Sequence, residues 1–232
     1  MNQNLYALNE FGIINKEFVH RYKHFGRLII KYFINSERIK NIPILYADMK
    51  FRSFIAVEID ATEEIRTFIR DVEATDANIN MVDPDKIHIT VKFLGDVDED
   101  IVPAIGEKVR FVLEDRGPFV LNLKGVGAFP SLDYMKVVWI GTDEKEEFSE
   151  IAHRMEEELV ALGFDREQRS FSPHITVGRV KGGRNKNRLR AVLDDYREHD
   201  FGKQKVNKLK LKKSELKREG PEYTTIKEYY MY

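Results

Sequence analysis

The 232-residue chain contains no cysteine, which excludes a disulfide framework, a thiolate zinc site, an iron–sulfur cluster and a cysteine nucleophile together. It also lacks any apolar run near the ~18 residues of a membrane helix, and its basic N-terminus has neither the apolar core nor the small-residue cleavage site of a signal peptide. The expectation is a cytoplasmic protein with no membrane partner. A dominant charge sign is missing as well: 38 Lys and Arg against 39 Asp and Glu leave −1, so no whole-molecule field draws the chain to a polyanion. What remains is 42% hydrophobic and 33% charged residues, enough apolar material for one sizeable domain or two small lobes.

The charge is unevenly placed. Residues 143–158 carry eight acids against two bases, 203–218 eight bases against one acid, and 179–190 six bases and no acid. The two basic runs are read either as an electropositive wall for phosphates or as solvated edges and loops. Residues 1–48 show no clean strand–turn–helix order and are taken as an N-terminal extension. From Met49 the text becomes MKFRSFIAVEID, an alternating to apolar run that reads as a first strand. The expected main domain is therefore 49–232.

Within it the periods alternate. Ile65, Phe68, Ile69 and Val72 stripe one helix face behind Thr62, a plausible N-cap. Ile87 to Leu94 reads as a strand, and Ile101, Ile105, Val109 and Val112 mark a second helix. Phe119 to Leu123 and Lys136 to Ile140 read as strands joined by a long loop through KGVGAFPSLDY. Phe148, Ile151, Met155, Leu159 and Leu162 form a helical stripe that Gly163 closes. His174 to Val180 is a strand, Leu189 to Tyr196 a short helix, and Val206 to Leu211 and Tyr223 to Tyr230 closing strands. Helices mixed with adjacent strands point to an α+β fold with mostly antiparallel sheets.

The tetrapeptide HITV occurs twice, at 88–91 and 174–177, suggesting two similar lobes facing each other. Strand alternation puts His88, Thr90 and Lys92 on one face and Ile87, Ile89, Val91 and Phe93 on the other, and likewise pairs His174 with Thr176. If the lobes face each other, two imidazoles and two hydroxyls converge on a cleft. Two histidines suit displacement at phosphorus, one removing a proton while the other supplies one, because an unperturbed imidazole titrates near pH 6.5. Threonine hydroxyls can donate to non-bridging oxygens, and a nearby Lys or Arg can offset transition-state charge. A lone strand histidine is more often structural than catalytic; the pair reverses that weighting. A zinc site is disfavoured, since two histidines and hydroxyls fall short of three protein ligands.

The two H-x-T segments, their spacing, the MKFRSFIAVEID opening, the KFLG after the first segment and the LKKSEL near the end resemble the two-histidine phosphoesterase superfamily. Within it the chain is similar, from about Met49 to Tyr232, to the bacterial and archaeal RNA 2′,3′-cyclic phosphodiesterases, also called 2′-5′ RNA ligases. The resemblance implies a bilobal fold, with two similar lobes of antiparallel sheet facing a central cleft and helices outside. It implies hydrolysis, without metal or cofactor, of RNA 2′,3′-cyclic phosphate ends to 2′-phosphates, and reversible 2′-5′ joining as a minor activity. Partners would be such RNA ends, tRNA-derived ends among them, met by a monomer.

By position, the resemblance makes His88 and His174 the acid–base pair and Thr90 and Thr176 the phosphate donors. We read His174 as activating water and His88 as protonating the leaving oxygen, although the mechanism is symmetrical under exchange. Arg179 is a phosphate-binding candidate, but alternation places it with Ile175 and Val177 unless Gly178 permits a bulge. Lys92, Arg169, Phe171 and Tyr134 are further candidates for backbone contact or base stacking. The rival reading is a non-catalytic RNA- or nucleotide-binding module on the same fold.

Overall fold

The computed structural model describes residues 50–143, 146–168, 170–217 and 220–232. The expected extension, 1–48, lies outside the described residues. The strands are β1 (Lys50–Glu58), β2 (Ile79–Met81), β3 (His88–Asp98), β4 (Phe119–Pro130), β5 (Met135–Thr142), β6 (His174–Val180), β7 (Asp200–Val206), β8 (Lys208–Lys217) and β9 (Gly220–Tyr230). The helices are α1 (Glu63–Ala74), α2 (Val102–Leu113), α3 (Glu146–Val160) and α4 (Lys186–Asp195).

All strand pairings are antiparallel, in the order β7-β4-β5-β6-β3-β1-β8-β9, with β2 added on β6. The sheet curls into a half-barrel. The two expected lobes are its two halves, and they meet where β3 lies beside β6. The two HITV segments are therefore neighbouring strands.

One face of the sheet is apolar because one parity of each strand is. Ile55 and Val57 of β1, Ile89 of β3, Ile140 of β5, and Ile175 and Val177 of β6 bury against the helix stripes. Those stripes are the expected ones: Ile65, Phe68, Ile69 and Val72 on α1, Ile105, Val109 and Val112 on α2, and Phe148, Ile151, Met155 and Leu159 on α3. Each fully buried aliphatic or Phe side chain contributes about 1.5–3 kcal/mol relative to its exposed state. At the start of α1 the Thr62 hydroxyl accepts from the Ile65 N–H at 3.3 Å and donates to the Phe201 carbonyl at 3.2 Å. One side chain thus caps the helix and ties it to β7.

Two expectations fail. KGVGAFPSLDY is not a long loop: β4 continues through Pro130, and only 131–134 turn before β5. The strand expected at Val206 to Leu211 is two strands broken at Asn207, whose carbonyl accepts from the Met231 N–H at 2.9 Å. The break separates the basic 203–218 run. Its first part lies in β7 at one edge of the sheet, whereas β8 lies between β1 and β9 at the far end.

Candidate active site

The two H-x-T segments meet through one backbone bridge, Ile89 opposite Ile175. Both isoleucines point into the core and are fully buried. Alternation then sends His88, Thr90, His174 and Thr176 to the face opposite the one that packs on α1, α2 and α3. Antiparallel register sets His88 across from Thr176 and Thr90 across from His174. The histidines become diagonal neighbours, which in an antiparallel pair lie about 7–8 Å apart. A phosphorus atom with its attacking and leaving oxygens fits between two groups so placed.

Both imidazoles are held the same way. His88 Nδ1 donates to the Lys86 carbonyl at 2.9 Å, and His174 Nδ1 donates to the Ser172 carbonyl at 2.7 Å. A proton fixed on Nδ1 leaves Nε2 as the nitrogen that accepts or gives a proton in each ring. Aromatic neighbours limit ring rotation. Phe54 lies 4.9 Å and Tyr223 5.1 Å from the His88 ring, and Phe129 lies 4.9 Å from that of His174. Trp139, opposite Thr176, lies across Gly127: a Cβ on Gly127 would fall 2.3 Å from the indole.

Bulges decide what else shares this face. On β6 the register runs Thr176 opposite Trp139 and then Gly178 opposite Val138, so Val177 is the extra residue. Arg179, opposite Val137, is thereby turned to the side of His174 and Thr176. It is among the cations whose field reaches His88. On β3, Thr90 pairs with Ala56 but Lys92 pairs with Ile55, which makes Val91 the extra residue. Lys92 consequently points to the helix side, opposite to its expected position beside Thr90. Its side chain is 5% exposed, and Nζ bonds Glu156 of α3 at 2.9 Å and the Asp165 carbonyl at 2.6 Å. It is a buried structural cation and not a phosphate ligand.

The remaining candidates divide in a similar way. Phe171 packs against the core, edge-on to the buried Phe148 at 5.2 Å, so it offers no stacking surface in the cleft. Tyr134 is exposed in the β4–β5 turn with Lys136 and Lys186 over its ring. Arg169 lies outside the described residues.

Several residues that sequence reasoning did not reach complete the site. Glu58 pairs in register with His88, and Lys210 and Lys212 of β8 both form ion pairs with it. Burial pushes the Glu58 carboxyl up, but hydrogen bonds from Lys210 and Lys212 outweigh it and hold the group below its ordinary value. Burial pushes His88 down from 6.5; the Lys86 carbonyl opposes this, Lys212 adds to it, Glu58 opposes and Arg179 adds. The even-numbered parity of MKFRSFIAVEID, with Phe54 and Glu58 on one face, was a usable signal for this set. Nothing local in the sequence linked Lys212 to it. Among the described residues, no three His, Asp or Glu side chains gather into a metal-ligating group.

Residues 53–231 match the AKAP7 2′5′ RNA ligase-like domain. The chain belongs to this family of two-histidine phosphoesterases. An RNA 2′,3′-cyclic phosphodiesterase of Methanothermobacter thermautotrophicus is 38% identical over 182 residues, covering 77% of this chain and 97% of that one. One from Archaeoglobus fulgidus is 34% identical over 178 residues, covering 76% and 98%. Among solved structures, TT0787 of Thermus thermophilus superposes with a TM-score of 0.61 at 26% identity, over 78% of this chain and 97% of that one. Escherichia coli LigT in apo form shares the fold, with a TM-score of 0.62 at 23% identity over 78% and 98%. The two-histidine phosphoesterase fold expected from the H-x-T pairs is thus the fold observed.

Proposed function

We propose that this chain opens RNA 2′,3′-cyclic phosphate ends to 2′-phosphates, with His88 and His174 as acid and base. The observation that carries the reading is the crossed quartet around the Ile89–Ile175 bridge, which gives one phosphate an imidazole and a hydroxyl from each strand. The relatives named RNA 2′,3′-cyclic phosphodiesterase support it. His174 Nε2 takes a proton from water as the water oxygen attacks phosphorus. The bond from phosphorus to the 3′ oxygen breaks, and the proton on His88 Nε2 goes to that oxygen, leaving a 2′-phosphate. Thr90 and Thr176 donate to the non-bridging oxygens, and Arg179 offsets their charge. A 5′-hydroxyl in place of water gives a 2′-5′ linkage by the same steps.

In the free protein, burial and two cations favour neutral His88. Bound phosphate brings a negative charge that offsets Lys212 and Arg179, so His88 takes up a proton as substrate binds. We further propose that residues 49–232 are the catalytic unit, a cytoplasmic monomer acting on RNA ends that include tRNA-derived ones, without metal or cofactor. No helix among the described residues is long and apolar enough to cross a membrane.

The decisive assay incubates an oligoribonucleotide ending in a 2′,3′-cyclic phosphate with the protein in excess chelator and identifies the product. A 2′-phosphate is expected. An intact end on RNA that still binds would favour the non-catalytic module, and activity lost to chelator alone would bring back a metal site.

A further inference from the structure

Tyr223 reaches the histidines from the end strand of the sheet. In the strand order β9 is the third neighbour of β3, about 14 Å away in a flat sheet at the usual strand spacing. The pairings keep the two residues apart, since Tyr223 lies opposite Ser214 of β8 and His88 opposite Glu58 of β1. The curl of the half-barrel closes the gap. The Tyr223 ring centre stands edge-on 5.1 Å from that of His88 and 5.2 Å from that of Phe54. On the other flank of β3, Arg179 of β6 turns its charge to the same place, and its field reaches both His88 and the Tyr223 hydroxyl. Tyr223 is half-buried, yet among the described residues its hydroxyl has no hydrogen-bond partner. The Tyr196 hydroxyl, by contrast, donates to Asp71 at 2.6 Å and that of Tyr230 to Glu228 at 2.5 Å. Nor is the Tyr223 hydroxyl sealed from solvent, as that of Tyr229 is.

We propose that Tyr223 is a phosphate ligand, its hydroxyl donating to the terminal phosphate of the RNA end held between His88 and His174. The inference rests on the phosphodiesterase reading above and adds a donor that neither H-x-T segment supplies. The contacts with His88 and Phe54 are made by the ring, so a phenylalanine would pack there equally well and the hydroxyl has no part in the packing. A donor kept half-buried costs free energy unless something takes its hydrogen bond. Beside two imidazoles and facing Arg179, the acceptor that this surrounding draws is an anionic oxygen, to which a hydroxyl makes a strong bond. Burial pushes the Tyr223 hydroxyl above its ordinary value, with Arg179 opposing. It therefore keeps its proton at neutral pH and can donate.

The test compares the wild type with Tyr223→Phe, which keeps the ring against His88 and Phe54 and removes only the hydroxyl. Binding at equilibrium is measured with oligoribonucleotides ending in a 2′-phosphate or in a plain 2′,3′-diol, and turnover with the 2′,3′-cyclic phosphate end. Tyr223→Phe should weaken binding of the 2′-phosphate end about 10- to 150-fold, the range for one hydrogen bond to a charged group. The diol end should bind as tightly as before. KM for the cyclic end should rise with kcat nearly unchanged, because the bond is made to substrate and transition state alike. Equal binding of the 2′-phosphate end by both proteins, with both folded by thermal melt and both turning over the cyclic end, would overturn the proposal and spare the phosphodiesterase reading. Equal losses on the phosphate and diol ends would also overturn it, since they would make Tyr223 a support of the fold. A wild type that leaves the cyclic end intact would overturn the phosphodiesterase reading and the proposal with it.

Discussion

Lys92 lies two residues from Thr90 in a segment rich in catalytic groups, yet its ammonium is committed to the protein. Nζ makes bonds of 2.9 and 3.1 Å to the Glu156 carboxylate and 2.6 Å to the Asp165 carbonyl. The side chains of Lys92 and Glu156 are only 5% and 15% exposed. Lys92→Met keeps the aliphatic stem but leaves Glu156 buried and held, among the described residues, by the Glu167 N–H at 2.7 Å. Breaking such a pair costs about 3–5 kcal/mol, and the surviving N–H and residual exposure place the loss near the lower end. For a unit of this size, about 3 kcal/mol lowers Tm by roughly 6–12 °C. Below the melting transition kcat and KM should match those of the wild type. The double variant Lys92→Met/Glu156→Leu should recover most of the stability, because well-packed apolar residues commonly replace a buried ion pair without loss. An unchanged Tm for Lys92→Met together with a large drop in kcat would refute the structural assignment and return Lys92 to the substrate.

His88→Ala and His174→Ala should each lower kcat by about 100- to 10,000-fold, the usual contribution of one general acid or base, with melting curves confirming the fold; full activity in either would sink the two-histidine mechanism. The Lys212 cation depresses His88, and removing it as Lys212→Met also takes one of the two lysines off the Glu58 anion, so both changes raise the His88 pKa. With His88 as the acid, kcat/KM should fall on its alkaline side from a pKa below 6.5, and Lys212→Met should move that limb to higher pH; movement of the acidic limb instead would exchange the two histidines' roles. A chain beginning at Met49 should keep the phosphodiesterase activity and a cooperative melt, and failure of that truncation to fold would show residues 1–48 to be structural.

What was legible in the sequence was local. The Thr62 cap, the three helix stripes and the placement of His and Thr on one face of each H-x-T segment depend on residues within a turn or two, and each appears as read. The central loop was misread because Gly125, Gly127 and Pro130 looked like breakers. Gly127 instead lets Trp139 lie across the strand, and Gly125 takes a φ of +70° that a side chain rarely adopts.

The H-x-T spacing alone places an imidazole and a hydroxyl on one face of each of two strands. Which residues join them depends on how the strands pair. Alternation is a property of one strand, whereas a bulge is a mismatch in count between two, so the partner strands alone could turn Lys92 inward and Phe93 and Arg179 outward. The same holds for Lys212, which reaches Glu58 across 154 positions because β8 pairs with β1. Charge pairing at that range depends on strand order, and strand order was settled by burying the apolar face of the described sheet under its helices.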